Sequence, residues 1–195
     1  MSGGLPIDAG GILDFWFEPA HAARWFAADA WFDDRIRRRF GTTVEAAAQG
    51  QLDDWTTAPG SWLALLILLD QFPRNLYRGS ARAWKADVKA QRVALSGLSD
   101  GFDQSLPPLQ RVFAYLPLEH AEDMRLQQRS VALFESLQAQ VGADERERFG
   151  DFLDYARRHR EVIARFGRFP HRNAALGRTS TLDEASYLAQ SGAGF

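Results

Sequence analysis

The sequence predicts an all-α fold, a single domain of antiparallel helical hairpins over residues 1–195, and three observations predict it. Apolar residues recur at three- and four-residue spacing through several long segments, the signature of a helix with one buried stripe. Period-two alternation bounded by hairpin turns is missing, so no strand is expected. One stretch, Trp62 to Leu69, is apolar on every side, as a fully buried helix is, and is the natural centre for the rest.

Ile12, Phe15 and Trp16 predict a first helix over Asp8 to Phe17, after a Gly-rich start and before the stop at Pro19. Phe32, Ile36, Phe40, Val44 and Ala48 recur every fourth residue behind an Asp29 cap, with Gly50 beyond the end. Arg35, Arg37, Arg38 and Arg39 read as the solvated face of that helix. The buried helix follows from Ser61 to Phe72, where Pro73 should end it sharply. Ser80 suits the cap of a helix running toward Gly97. A short helix over Leu109 to Tyr115 is expected, then a break at Pro117 and a longer helix to about Gln140. The next spans Asp144 to Phe166, with Phe149, Phe152, Leu153, Ala156, Ile163 and Phe166 on its buried side and Gly167 at its end. Thr181 and Glu184 have capping-box spacing before a final helix carrying Leu182, Tyr187 and Leu188.

Composition narrows the function. At 46% hydrophobic and 25% charged residues this is a soluble globular composition. A net charge of -2 offers no global attraction to nucleic acid or to an anionic membrane, and neither partner is expected. The longest apolar run is far below the ~20 residues of a membrane-crossing helix, and no basic, apolar leader opens the chain. Without cysteine there is no disulfide, thiolate metal site or cysteine nucleophile, which suits the cytoplasm. Walker, GxGxxG, GxSxG and kinase signatures are absent.

Three polar groups stand out. Gln71-Phe72-Pro73-Arg74-Asn75 follows the buried helix, and Arg168-Phe169-Pro170-His171-Arg172-Asn173 echoes it after the helix ending at Phe166. The echo suggests two related halves, or a serviceable helix stop used twice. Asp70, placed at the negative end of a helix dipole, calls for a cation from Arg74, Arg168 or Arg172, with pairing to the second corner expected. Such a pair either locks two helices or contacts a ligand. The third group is Glu119, His120 and Glu122, where a histidine beside carboxylates suits acid–base chemistry and the acids suit a first helical turn. His159 and His171 join His120 only if the fold brings them close, and no histidine pair at i, i+4 exists, so no metal or cofactor is expected. Arg165, Arg168, Arg172 and Arg178 with His171 read either as cations at a helix end or as an anion clamp.

LDFWF, LLDQFPRNLYRGSARAW, RVFAYLPLEHAED and YARRHREVIARFGRFPHRNAALGRTST together resemble the bacterial domain-of-unknown-function family 924. The resemblance covers nearly the whole chain and implies a helical, tetratricopeptide-like architecture, with no established activity to carry over. Ala121 stands where that family more usually has serine, so no hydroxyl is essential there. No 34-residue repeat is visible in the chain itself. The expected function is binding of a small polar or anionic ligand by Asp70, Arg74, Asn75, Arg168, His171, Arg172 and Asn173, with His120, Glu119 and Glu122 as the acid–base group of any chemistry. The alternative is a module that offers a helical groove to a protein partner, its polar corners purely structural.

Overall fold

In the computed structural model, which describes residues 8–190, the regular structure is helical and no strand occurs among those residues. The Gly-rich start falls in residues 1–7, outside the described residues. No described helix is long and apolar enough to cross a membrane. The chain packs as two compact units, the first taking the described residues up to Arg78 with Arg82–Ala114, the second Gly79–Ala81 with the described residues from Tyr115 on.

In the first unit, α1 (Ala9–Trp16) starts at Asp8, whose carboxylate accepts the Gly11 N–H at 2.8 Å. Asp29 caps α2 (Ala30–Ala48) in the same way, and Gly50 leaves it in the left-handed region at φ +86°. Phe32, Ile36, Phe40 and Val44 are buried, and Arg35, Arg37, Arg38 and Arg39 are exposed, as the periodicity implies. Phe15, Trp16, Phe32, Phe40, Phe72 and Phe113 interlock, with edge-on pairs such as Trp16–Phe113 at 5.6 Å and Phe15–Phe40 at 4.9 Å. Such pairs add about 0.5–1.5 kcal/mol beyond area burial.

Every residue from Trp62 to Leu69 is fully buried. The helix, however, does not stop at Pro73. α3 (Pro59–Leu66) passes through one π-helical turn, Ile67–Gln71, into α4 (Phe72–Leu76). A proline inside an α-helix lacks one donor and drives its ring into the carbonyl four residues back. The π turn widens the coil just ahead of it: Phe72 N–H donates to Ile67, five residues back, and Tyr77 N–H resumes the α pattern on Pro73 at 3.0 Å. Asp70 therefore lies inside a helix rather than at its end.

α5 (Asp87–Ser99) is preceded by a 3-10 turn, Ala81–Trp84, and runs past Gly97 instead of ending there. Gly97 serves close approach: a Cβ there would stand 2.3 Å from the Trp62 indole, which also donates to the Val93 carbonyl at 2.7 Å. α6 (Pro108–Glu119) likewise runs through Pro117, and the division between the units falls within it. Pro117 forgoes its own bond four residues back, yet the helix continues to Glu119, and the break comes at residues 120–123.

In the second unit, Asp123 accepts the N–H groups of Arg125 and Leu126 to start α7 (Met124–Gln140), and a short loop joins it to α8 (Arg146–Phe166) as a helical hairpin. Gly167, at φ +70°, ends α8. Thr181 and Glu184 form the expected capping box of α9 (Leu182–Leu188). Val162, Ile163 and Phe169 are the buried centre against which Met124, Phe166 and Tyr187 pack. Leu182 is 89% exposed and takes no part in it.

Replacing Gly97 by alanine sets a helix-propensity gain of about 1 kcal/mol against overpacking on Trp62, which costs about 1–3 kcal/mol. Urea unfolding should show Gly97→Ala destabilised, with an unchanged m-value.

Candidate functional site

Glu119 is the last residue of α6, so it faces the negative end of a helix dipole and not the positive end of the following helix, as its position after Pro117 had suggested. It is 3% exposed. The turn that follows is held at each successive carbonyl by a side chain. Gln127 Nε2 donates to the carbonyls of Glu119 and Ala121 at 2.5 and 2.8 Å, and Arg172 donates to that of His120 at 3.1 Å. Glu122 accepts the Phe169 N–H at 2.8 Å and two bonds from Arg178 at 2.7 and 2.9 Å. Burial pushes the Glu122 carboxyl up, but Arg178 and the Phe169 N–H outweigh it and hold the group below its ordinary range.

His159 of α8 completes the group. It lies three residues after Ala156 and four before Ile163, on the buried stripe, and that register was the only signal of it in the sequence. Its Nδ1 is 3.1 Å from Glu119 Oε1 and 2.9 Å from the Tyr155 carbonyl. Both neighbours are acceptors, so Nδ1 carries the proton. Burial pushes His159 well below the usual histidine range, with the charges of His120, Arg172 and His171 adding to it and the Tyr155 carbonyl opposing. The imidazole is neutral at pH 7 even though a carboxylate adjoins it. The His120 ring, half-buried, lies 5.9 Å from that of His159, and one ligand atom from each of Glu119, His120 and His159 falls within 4.8 Å of the others. Of the two carboxylates named with His120, Glu119 stands at this cluster, and Glu122 is committed to Arg178 and Phe169.

The second corner adjoins the cluster. Phe169 packs on His159 at 5.5 Å and on His171 at 5.6 Å, and the Arg172 guanidinium lies 4.5 Å over its ring. Arg168 is matched to a carboxylate already: it grips Glu184 with bonds of 2.6 and 2.8 Å and also donates to Thr179. Asn173, 1% exposed, donates to Ser180 at 3.0 Å and accepts from Arg178 at 2.9 Å. Arg165, exposed, pairs with Asp183.

The first corner, taken by itself, is an ion-pair network. Arg74 reaches Asp70 at 3.1 Å, grips Asp87 with bonds of 3.2 and 3.1 Å, and donates to the Asp70 carbonyl at 2.5 Å. Gln71 donates to Asp70 at 2.6 Å, and Asn75 to Asp33 at 2.7 Å, which Arg78 also grips. The two corners do not share a backbone conformation: Phe72–Leu76 is α-helical, whereas Phe169 is extended and Pro170–Arg172 is a 3-10 turn. The left-handed Gly167 breaks the second helix before its proline; nothing comparable precedes Pro73.

Two measurements follow. Arg74→Ala removes a cation shared by two buried carboxylates and should cost about 3–5 kcal/mol in urea unfolding. Glu184 is lowered to about 2, chiefly by Arg168 and then by the Thr181 N–H. A carboxyl depressed on folding stabilises above its unfolded value near 4.5 and loses that contribution as pH falls toward 2. Thermal melts between pH 5 and pH 2, roughly the window between those two values, should fall less steeply for Glu184→Gln than for the parent chain.

Comparison with known proteins agrees with this architecture. A search of curated proteins gives no match. A protein of unknown function, ATU0120, from Agrobacterium tumefaciens has a solved structure that is similar at TM-score 0.83 and 42% identity, over 93% of this chain and 96% of that one. Residues 12–192 match the family described as bacterial protein of unknown function, and the chain belongs to that family, DUF924.

Proposed function

We propose that the protein binds a small polar or anionic ligand at Glu119, His120 and His159, beside the Phe169 corner. The observation that carries this reading is the support given to the turn: three successive carbonyls, of Glu119, His120 and Ala121, are each fixed by Gln127 or Arg172. A helix end needs donors for its carbonyls, but a turn fixed at every residue also holds its side chains in one geometry, which is what a binding site requires. The neutral His159 offers an uncharged ring beside Glu119, and the lack of cysteine supports a cytoplasmic setting.

Thermal denaturation with inorganic phosphate, acetate and short dicarboxylates tests it. A ligand at 100 times its Kd adds about 2.7 kcal/mol, which raises the melting temperature of a chain this size by roughly 5–10 °C. His120→Ala, half-buried and so replaceable, should abolish the shift. If no anion moves the parent chain, or the shift survives in His120→Ala, the reading fails.

The exposed Trp31, flanked by the Arg24 and Arg35 guanidiniums at 4.9 and 4.8 Å, favours a second reading, a tetratricopeptide-like module that docks a protein partner. Partner binding lost in Trp31→Ala while anion binding persists would select it.

A further inference from the structure

The arginines expected to clamp an anion are largely spoken for. Arg168 is paired with Glu184, Arg178 with Glu122, and Arg74 with Asp70 and Asp87. An anionic ligand beside Glu119 needs positive charge from another source, because Glu119 is itself a carboxylate at the negative end of α6. We infer that Glu119, His120 and His159 hold a divalent first-row transition ion, and that the anion binds through it.

The donor set supports this. Two imidazoles and one carboxylate, with no sulfur, suit zinc and its divalent neighbours. Ligand atoms about 2.0–2.1 Å from a common ion stand roughly 3.0–3.4 Å apart. Glu119 Oε1 and His159 Nδ1 are already 3.1 Å apart, so the ion takes the place of the proton they share, and His159 keeps a proton on Nε2. The third ligand atom, from the half-buried His120, lies within 4.8 Å of the others. Around these ligands, Gln127 fixes the Glu119 carbonyl and Arg172 the His120 carbonyl, which holds in place the backbone that carries both side chains. Three protein ligands leave at least one position open. The Arg172 guanidinium adds positive charge beside the ion, which favours an anion in that position.

The inference deepens the ligand-binding reading and rests on the same three side chains. Full-length protein freed of metal with a chelator is titrated with Zn2+ by calorimetry and with Co2+ by visible absorption. One ion per chain is expected, with Co2+ bands stronger than those of the aqueous ion. Glu119→Gln and His120→Ala, each checked for native circular dichroism, should weaken Zn2+ binding by at least the roughly 10–100-fold that losing even a supporting residue costs. Asp144→Asn, an exposed carboxylate remote from the cluster in sequence, should leave it unchanged. If either cluster variant fails to fold, the parent chain's Co2+ spectrum decides. No Zn2+ uptake, an aqueous-type Co2+ spectrum, or folded variants that bind as tightly as the parent overturn the inference. Phosphate and acetate separate the two readings. A bound Co2+ whose spectrum ignores both anions and the dicarboxylates upholds the metal site and defeats the ligand-binding reading. Anions that stabilise the chelator-treated chain without any metal uptake do the reverse.

Discussion

A helix with no solvent-facing side has no water to replace a lost hydrogen bond, and this constraint governs the first unit. Trp62 to Leu69 is buried all round, and Pro73 follows before the helix is finished. Stopping at the proline would strand carbonyls in the core. The chain instead widens by one π turn, and Arg74 brings a donor to the Asp70 carbonyl at 2.5 Å. The same guanidinium then neutralises Asp70 and Asp87, so one side chain serves a backbone group and two buried carboxylates. Gly97 shows the same helix from outside, giving up its side chain so that Trp62 can lie flat against α5 and donate to Val93.

In the second unit the analogous demand falls on a turn. The carbonyls left over at the end of α6 are taken by Gln127 and Arg172, and Glu122 is fixed by Phe169 and Arg178. These contacts bind the α6–α7 turn to α7 and to the Phe169 corner. His159 enters from α8, on the stripe that otherwise supplies Ala156 and Ile163 to the core. A buried histidine beside a buried carboxylate is costly to desolvate unless something holds both in register, and the fixed turn provides that.

Much of the helical pattern was legible. Asp29, Gly50, Gly167 and the Thr181–Glu184 box lie where local chemistry put them, because caps depend on a few adjacent residues. The prolines misled. Pro73 and Pro117 looked like stops, yet both sit inside helices: burial outweighs the lost donor at each, and at Pro73 a π turn widens the coil just ahead of the ring. The similarity of the two Phe-Pro corners was real in sequence and did not extend to their backbones, because only the second follows a left-handed glycine.

The sequence by itself determined the class of fold, the caps at Asp29, Gly167 and Thr181, and the identity of the most buried helix, since periodicity and capping are properties of neighbours along the chain. It also singled out Glu119, His120 and Glu122 as an acid–base turn and Arg172 among the cations of the second corner. Only the tertiary structure decided that His159, 40 residues away from Glu119, stands 3.1 Å from it, and that Arg168 and Arg178 spend their charge on Glu184 and Glu122. Ion pairing and ligand sets depend on which side chains meet in space, and no spacing along the chain records that meeting.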